Sequence, residues 1–280
     1  MPLRFAYNTN GTASHRLDDA LTLLAEAGYE GVALTLDHHH LDPFAPDWEA
    51  QASRLRRRLE SLRFGSVIET GARYLLDPRA KHEPTFVTAG AEGRGRRVAF
   101  LKRAVDIGAI LGSEAVSFWA GVPKPGVDPT DARAWLREGV AEVAAYAAEQ
   151  GVTAALEPEP GMLAETVDDY AYLASEIPGL RLALDVGHCL VTGERDPAAA
   201  VREFASQLGT VSIEDMRRGE HVHLAFGEGE MDTPGILDAL EEVGFGRLVC
   251  VELSRESHRA DTMIPQALRY LRTCRAARAA

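Results

Sequence analysis

The sequence predicts a single-domain α/β protein, a (β/α)8 TIM barrel that spans residues 1–280. Eight short apolar runs alternate with eight longer amphipathic segments, and glycines repeatedly close the helical segments. This alternation implies parallel strands joined by helical crossovers. The 280-residue length also fits one barrel, since such domains typically run to about 250 residues. Eight repeats favour a closed barrel, and a doubly wound open sheet is the alternative.

Each predicted strand is a short run rich in β-branched or other apolar residues. The eight runs are Leu3–Asn8, Gly31–Leu36, Gly65–Glu69, Ala115–Trp119, Thr153–Glu157, Leu180–Asp185, Thr210–Glu214 and Leu248–Leu253.

Between these runs, apolar residues recur at the 3.6-residue spacing of amphipathic helices. The predicted helices are Leu17–Ala27, Trp48–Leu62, Arg94–Leu111, Ala132–Glu149, Val167–Glu176, Pro197–Gln207, Pro234–Val243 and Thr262–Arg278. Asp196 and Thr233 each precede a proline, the pattern of an N-cap followed by Pro at the first helical position. Gly112 and Gly151 lie where left-handed glycines usually stop a helix. Both ends of several helices are therefore marked in the sequence.

Composition excludes several classes of protein. The formal net charge is -12 and the isoelectric point is near 5.3, so an acidic surface would repel a phosphate backbone and nucleic acid is not expected as a partner. Cys189, Cys250 and Cys274 show no C-x-x-C spacing and suggest reduced thiols in a cytoplasmic protein. No signal peptide and no apolar membrane-spanning run is visible. We expect a small-molecule ligand, and the sequence is compatible with a homodimer.

Acidic residues end three of the predicted strands. Glu157, Asp185 and Glu252 each follow three apolar residues, and the active sites of such barrels lie at the carboxyl ends of the strands. An isolated buried carboxylate is costly to desolvate, so three converging carboxylates need a cation. Oxygen-rich sites suit Mg²⁺ or Mn²⁺. The alternative for each acid is an ion pair with an arginine or a cap on the next helix.

Other polar residues lie at the same predicted edge. Asn8, Glu69 and Trp119 end the first, third and fourth strands and are predicted substrate contacts. His188 follows Asp185 on the same loop and suits a substrate or proton-transfer role. The long loop after the third strand carries Arg73, a candidate contact for a phosphate or carboxylate group.

Five segments together resemble the xylose-isomerase-like superfamily. They are Leu156-Glu157, Asp185-Val-Gly-His188, Ser212-Ile-Glu-Asp215 followed by Arg218, Phe226-Gly-Glu-Gly229 and Val251-Glu252. The resemblance covers essentially the whole chain. It implies an isomerase or epimerase that acts on a small sugar, sugar phosphate or cyclitol by proton transfer through an enediolate.

The resemblance also implies roles for individual residues. Glu157, Asp185 and Glu252 match metal ligands, and Glu157 and Glu252 match the pair that moves protons. His188 and Arg218 match substrate contacts. The implied cofactor is a divalent metal, Mn²⁺ or Mg²⁺, with Zn²⁺ or Co²⁺ as alternatives.

One position departs from the superfamily pattern. Relatives usually place a histidine ligand where this chain has Ser212, and a hydroxyl is a weak ligand that cannot replace a neutral imidazole. Three outcomes are open: water completes the shell of a harder metal, His221 or His223 folds back to bind it, or the metal and its chemistry are lost. His223 is otherwise a predicted substrate contact.

Three rival functions remain open on the sequence. A lyase of the inosose or 3-dehydroshikimate dehydratase type would use the same residues and expel a β-hydroxyl group. A catalytically impaired barrel would only bind its ligand, and Ser212 favours that reading. Endonuclease IV-type DNA repair would need more histidine ligands and a basic face, which the net charge of -12 opposes.

Overall fold

Eight parallel strands close into a barrel in the computed structural model, which describes residues 2–276. The barrel strands are β1 (Arg4–Asn8), β2 (Gly31–Thr35), β3 (Gly65–Glu69), β4 (Val116–Trp119), β5 (Ala154–Glu157), β6 (Arg181–Asp185), β7 (Leu208–Ile213) and β10 (Leu248–Val251). Each strand pairs with its neighbour in sequence order, and β10 pairs with β1 to close the ring. The predicted (β/α)8 barrel is confirmed, and the open sheet is excluded.

Nine α-helices lie within the described residues. They are α1 (Leu17–Ala27), α2 (Trp48–Leu62), α3 (Ala91–Leu111), α4 (Pro129–Glu149), α5 (Val167–Glu176), α6 (Val186–Thr192), α7 (Pro197–Glu203), α8 (Thr233–Glu242) and α9 (Ala260–Ala276). Residues 277–278 of the last predicted helix lie outside the described part of the chain. No helix within residues 2–276 combines the length and hydropathy needed to cross a bilayer.

Several helices start earlier than predicted: α3 at Ala91 and not Arg94, α4 at Pro129 and not Ala132, and α9 at Ala260 and not Thr262. The two predicted N-caps also have different outcomes. Asp196 caps α7 by accepting from the Ala199 amide at 2.9 Å, as predicted. The cap of α8 is Asp232, which accepts from the Gly235 amide at 3.1 Å, so Thr233 is the first helical residue and not the cap. Asp and Thr are both good N-caps, and the sequence pattern alone did not separate them.

Two elements near the site were not predicted. The seven-residue α6 follows β6 directly, and a two-stranded hairpin, β8 (Asp215–Arg217) and β9 (Glu220–Leu224), follows β7. The Asp215 carboxylate fastens this hairpin by accepting from the amides of Gly227 at 2.8 Å and Met231 at 3.0 Å. The hairpin is therefore held against the loop that leads to α8.

Side-chain alternation along the strands builds the floor of the site. Small residues such as Ala6, Ala33, Ala155 and Ala183 fill the centre of the barrel. Because residues two apart on a strand share a face, the next inward positions project at the carboxyl end. Those positions are Asn8, Thr35, Glu69, Trp119, Glu157, Asp185, Ser212 and Glu252. Most of the polar residues predicted for the site therefore lie at the carboxyl end of the barrel interior.

A buried arginine lies next to Trp119, one of these inward-facing residues. The Arg97 guanidinium on α3 is fully buried, stacks 4.2 Å from the centre of the Trp119 ring, and none of its nitrogens has a hydrogen-bond partner among the described residues. Burial lowers the pKa of Arg97 to about 9. A buried charge without a partner costs free energy, and hydrophobic replacements of such charges are often neutral or stabilising.

Arg97→Met is expected to raise the free energy of unfolding by about 1–4 kcal/mol. Urea denaturation followed by tryptophan fluorescence measures this change. Arg57→Met on the exposed face of α2 is the matched control and is expected to change stability by less than about 0.5 kcal/mol. A loss of stability in Arg97→Met would mean that the guanidinium has a partner in solution.

Candidate active site

A cavity of about 570 Å³ opens at the carboxyl ends of the strands. Six of the residues predicted for the site line it: Glu69, Trp119, Glu157, His188, His223 and Glu252. Asp185 lies beneath His188 and is 2% exposed. The structure thus brings the three predicted carboxylates to one end of the barrel.

The two oxygens of Asp185 have different environments. Oδ1 accepts from the amides of Gly187 at 2.8 Å and His188 at 3.2 Å and so caps α6. Oδ2 is buried and has no hydrogen-bond partner among the described residues. Burial opposes ionisation of this carboxyl, but the charges of His188 and His223 outweigh it and hold the pKa of Asp185 below its usual value. The helix cap therefore leaves Oδ2 without a hydrogen bond, 3.6 Å from His188 Nε2.

Glu157 and Glu252 face the cavity from β5 and from the end of β10. Burial, reinforced by the charge of Glu159, raises the pKa of Glu157 well above its usual range. Glu157 Oε1 lies 3.9 Å from His188 Nδ1. Glu252 Oε1 accepts from Asn10 Nδ2 at 2.8 Å, which fixes the orientation of this carboxylate. The two acids thus have different surroundings.

A further carboxylate, Glu214, was not singled out from the sequence. It lies just beyond β7, is fully buried, and neither of its oxygens has a hydrogen-bond partner among the described residues. A Cβ atom on Gly187 would lie 2.3 Å from Glu214 Oε1, so the missing side chain at 187 makes room for this carboxylate. Burial raises the pKa of Glu214 well above its usual value. Its position two residues after Ser212, on the same face, was the available signal.

The hairpin strand β9 brings two imidazoles to the cavity. His221 and His223 are two residues apart and share a face, and both line the cavity. His223 Nδ1 lies 3.9 Å from Glu214 Oε2, and His221 Nε2 lies 3.1 Å from His188 Nε2.

The surroundings of these two imidazoles shift their pKa values in opposite directions. Burial works against protonation of His223, but the carboxylates of Glu214 and Glu252 outweigh it and raise its pKa to about 10. Burial, with the charge of His188, lowers the pKa of His221 to about 4. The hairpin therefore presents one imidazole among carboxylates and another against a second imidazole.

The donor atoms fit a divalent cation. Four groups of side chains at this end of the barrel each place their ligand atoms within 4.8 Å of one another. Asp37, His38 and His39 follow β2. The other three groups include residues of the cavity lining: Glu157, Asp185 and His188; Asp185, Glu214 and His223; and His188, His221 and His223. Glu252 belongs to none of these groups within the described residues. In the group that contains Glu214, the buried atoms without hydrogen-bond partners are Asp185 Oδ2, both oxygens of Glu214 and His223 Nδ1, and a cation would satisfy them.

Two predicted substrate contacts lie elsewhere. Asn8 is buried and is bound by Thr35 Oγ1 at 2.7 Å and by the Asn10 amide at 3.0 Å, so its side chain supports the loop that carries Asn10 and does not line the cavity. Arg218 lies on the exposed hairpin turn, where its guanidinium approaches Gly193. Its place six residues after Ser212 suggested a substrate contact, but the hairpin turns it away from the described cavity lining.

Three cations stand at the mouth of the cavity. Arg73 and Lys81 come from the loop between β3 and α3, and Arg255 comes from the loop after β10. Arg73 Nη1 lies 3.9 Å from Asp37 Oδ2 and Nη2 donates to the Asn10 carbonyl at 3.3 Å. Neither Lys81 nor Arg255 pairs with a carboxylate of residues 2–276. The cavity thus combines an acidic floor with a basic mouth.

Comparison with known proteins places this architecture in a family. The family model described as "Xylose isomerase-like TIM barrel" matches residues 21–274. The chain belongs to this family. A 2-oxo-tetronate isomerase from Cupriavidus necator is 23% identical over 257 residues, which cover 86% of this chain and 89% of that protein.

Solved structures of the family share the fold. A D-allulose 3-epimerase from Methylomonas sp., solved with D-allulose, has a TM-score of 0.74 at 17% identity and covers 97% of this chain and 96% of its own. A probable 3-DHS dehydratase from Bacillus anthracis has a TM-score of 0.77 at 14% identity, and the match covers 96% of this chain and 99% of that protein. At these identities the likeness concerns the barrel itself, and this family member's chemistry must be argued from its own residues.

Proposed function

We propose that this protein is a divalent-metal-dependent isomerase or epimerase of a small sugar, sugar acid or sugar phosphate. The observation that supports this most directly is that Glu157 and Glu252 line one cavity and that Asp185 is buried next to His188 of its lining, beside further buried donor atoms without hydrogen bonds. A cation held there would polarise the carbonyl and neighbouring hydroxyl of a bound sugar and stabilise an enediolate. Mn²⁺ or Mg²⁺ suits the carboxylates, and Zn²⁺ or Co²⁺ is the alternative that suits the imidazoles.

In the proposed reaction, Glu157 and Glu252 move protons. One group, as the carboxylate, removes the proton from the hydroxyl-bearing carbon next to the carbonyl. The other, as the carboxylic acid, returns a proton to the opposite face of that carbon, which gives an epimer. Return of the proton to the former carbonyl carbon, with transfer of the hydroxyl proton to the former carbonyl oxygen, gives an isomer. Such a pair needs one protonated and one ionised member. The raised pKa of Glu157 and the hydrogen bond from Asn10 to Glu252 give the two carboxyls the different environments that this requires.

The basic mouth favours a substrate with an anionic group. A carboxylate or phosphate group of a short sugar derivative would meet Arg73, Lys81 and Arg255, while its carbonyl and hydroxyl oxygens would reach the acidic floor. The activity in the name of the Cupriavidus necator relative, on 2-oxo-tetronate, is consistent with a carboxylated four-carbon substrate. Charge-assisted hydrogen bonds to arginine are among the stronger polar contacts.

Arg255→Gln is expected to raise the KM of an anionic substrate by about 10- to 100-fold and to leave the KM of a neutral ketose unchanged. Steady-state kinetics on 2-oxo-tetronate, D-erythrulose 4-phosphate and D-erythrulose measure the difference. Arg79→Gln, an exposed arginine on the β3–α3 loop outside the cavity, is the matched control. Equal effects on charged and neutral substrates would remove Arg255 from anion recognition.

The proposed function is tested by product analysis. Protein stripped with chelator and reloaded with Mn²⁺ is incubated with those substrates and D-allulose, and products are identified by NMR and mass spectrometry. Isomers that appear only with metal are the expected result. Products that have lost one water would instead support a dehydratase. Absence of both product and bound metal would contradict the proposed function and would support a barrel that binds its ligand without catalysis.

A further inference from the structure

We propose that His223 of the hairpin, together with Glu214, completes the metal centre around Asp185 in place of the strand residue Ser212. This inference rests on the proposed metal dependence and assigns ligands that the sequence motif does not. It makes the β8–β9 hairpin a part of the metal centre. The ligand class is a divalent cation that accepts both oxygen and imidazole donors.

Ser212 itself cannot supply the missing ligand. It lies on β7 in register with Asp185 and carries only a hydroxyl group, which is a poor ligand for a transition-metal ion. Glu214 lies two residues after Ser212 and is therefore the next position that faces the barrel interior. The fully buried Glu214 carboxylate therefore lies one inward position beyond Ser212, where relatives usually have a histidine ligand.

Unsatisfied atoms mark the place of the ion. Asp185 Oδ2, Glu214 Oε1 and Oε2, and His223 Nδ1 are all buried, and none has a hydrogen-bond partner among residues 2–276. They come from three separate segments, yet the ligand atoms of these residues lie within 4.8 Å of one another. Buried polar atoms are normally hydrogen-bonded. The longer contacts of these four atoms include those from His223 Nδ1 to Glu214 Oε2 at 3.9 Å and from His188 Nε2 to Asp185 Oδ2 at 3.6 Å, so the cluster suits a cation.

The surroundings support this cluster. Gly187 leaves the space that the Glu214 carboxylate fills, and the Oδ1 bonds of Asp185 to α6 turn Oδ2 towards the cluster. The Asp215 bonds to Gly227 and Met231 hold the hairpin that carries His223. Precise metal sites depend on such outer support. His221, by contrast, is turned towards His188.

The inference is tested with Mn²⁺ alone on the full-length, chelator-treated protein. Isothermal titration calorimetry should give one Mn²⁺ site in the parent protein, and pulsed electron paramagnetic resonance should show nitrogen coupling from an imidazole. His223→Gln is expected to weaken binding by at least about 10- to 100-fold and to remove that coupling. Glu214→Gln should weaken binding to a similar degree.

His221→Gln and Glu220→Gln, on the same hairpin, are the matched controls and should keep both affinity and coupling. Tight Mn²⁺ binding without nitrogen coupling, loss of coupling in His221→Gln instead, or unchanged affinity in His223→Gln would overturn the inference. Circular dichroism checks that each variant is folded. Mn²⁺ binding through His223 without any isomerisation would contradict the proposed reaction but support the proposed ligands. Isomerisation by the parent protein, together with unchanged Mn²⁺ affinity in His223→Gln, would support the proposed reaction but contradict His223 as a ligand.

Discussion

Glu157→Gln is expected to lower the rate of isomer interconversion by about 100- to 10,000-fold, the contribution typical of a positioned general acid or base. The amide keeps the shape of the side chain but cannot accept and return a proton. Because Glu157 lies at the end of β5 with its side chain at the cavity wall, the substitution should leave the barrel intact. Steady-state turnover and circular dichroism measure the two effects separately.

Glu138→Gln on the exposed face of α4 is the matched control for loss of one carboxylate. It should leave turnover unchanged. Turnover of Glu157→Gln within a factor of a few of the parent protein would remove Glu157 from the proton-transfer pair, and Glu252→Gln would then show whether one carboxylate acts alone.

Gly187→Ala is expected to lower the free energy of unfolding by about 1–3 kcal/mol, the cost of overpacking a filled interior. The added methyl group would lie 2.3 Å from Glu214 Oε1 and 2.8 Å from Met216 Sδ. Both neighbours are fully buried, so neither can move without disturbing the site. Displacement of Glu214 should also reduce turnover, since small misplacements in a site can cost about 100-fold.

The matched control is Gly95→Ala, because a Cβ there would meet nothing within 4 Å and Ala favours a helix interior by roughly 1 kcal/mol. Urea denaturation should therefore rank Gly95→Ala above the parent protein and Gly187→Ala below it. Equal stability of Gly187→Ala and the parent would mean that Glu214 does not fill the space beside residue 187.

The barrel was predictable because its signal is repeated. Each strand and its helix carry the same pattern of apolar residues, so an error in one repeat does not change the fold. The helices Leu17–Ala27, Trp48–Leu62 and Val167–Glu176 begin and end where the pattern predicts. The hairpin escaped prediction because Asp215–Arg217 and Glu220–Leu224 are short and polar, and their pairing depends on Asp215 contacts with a later loop.

The site was predictable only where strand position decided it. Glu157, Asp185 and Glu252 follow apolar strands, and the structure brings all three to one end of the barrel. Glu157 and Glu252 line the cavity there, and Asp185 is buried next to His188 of its lining. Glu214 was not singled out because it stands beside another acid at a strand end, although its spacing of two residues from Ser212 places it on the inward face. Arg218 was placed by its spacing after Ser212, but it lies in the turn of the hairpin, where it is exposed.

We propose that this barrel moves a proton next to a carbonyl group with the help of a metal ion. Proton NMR of solvent deuterium exchange into 2-oxo-tetronate and the ketoses tested for activity measures this step, with protein stripped of metal and then reloaded with Mn²⁺. We expect exchange at the carbon next to the carbonyl with the reloaded protein and none with the stripped protein. Absence of exchange from every substrate, with Mn²⁺ bound, would contradict this proposal.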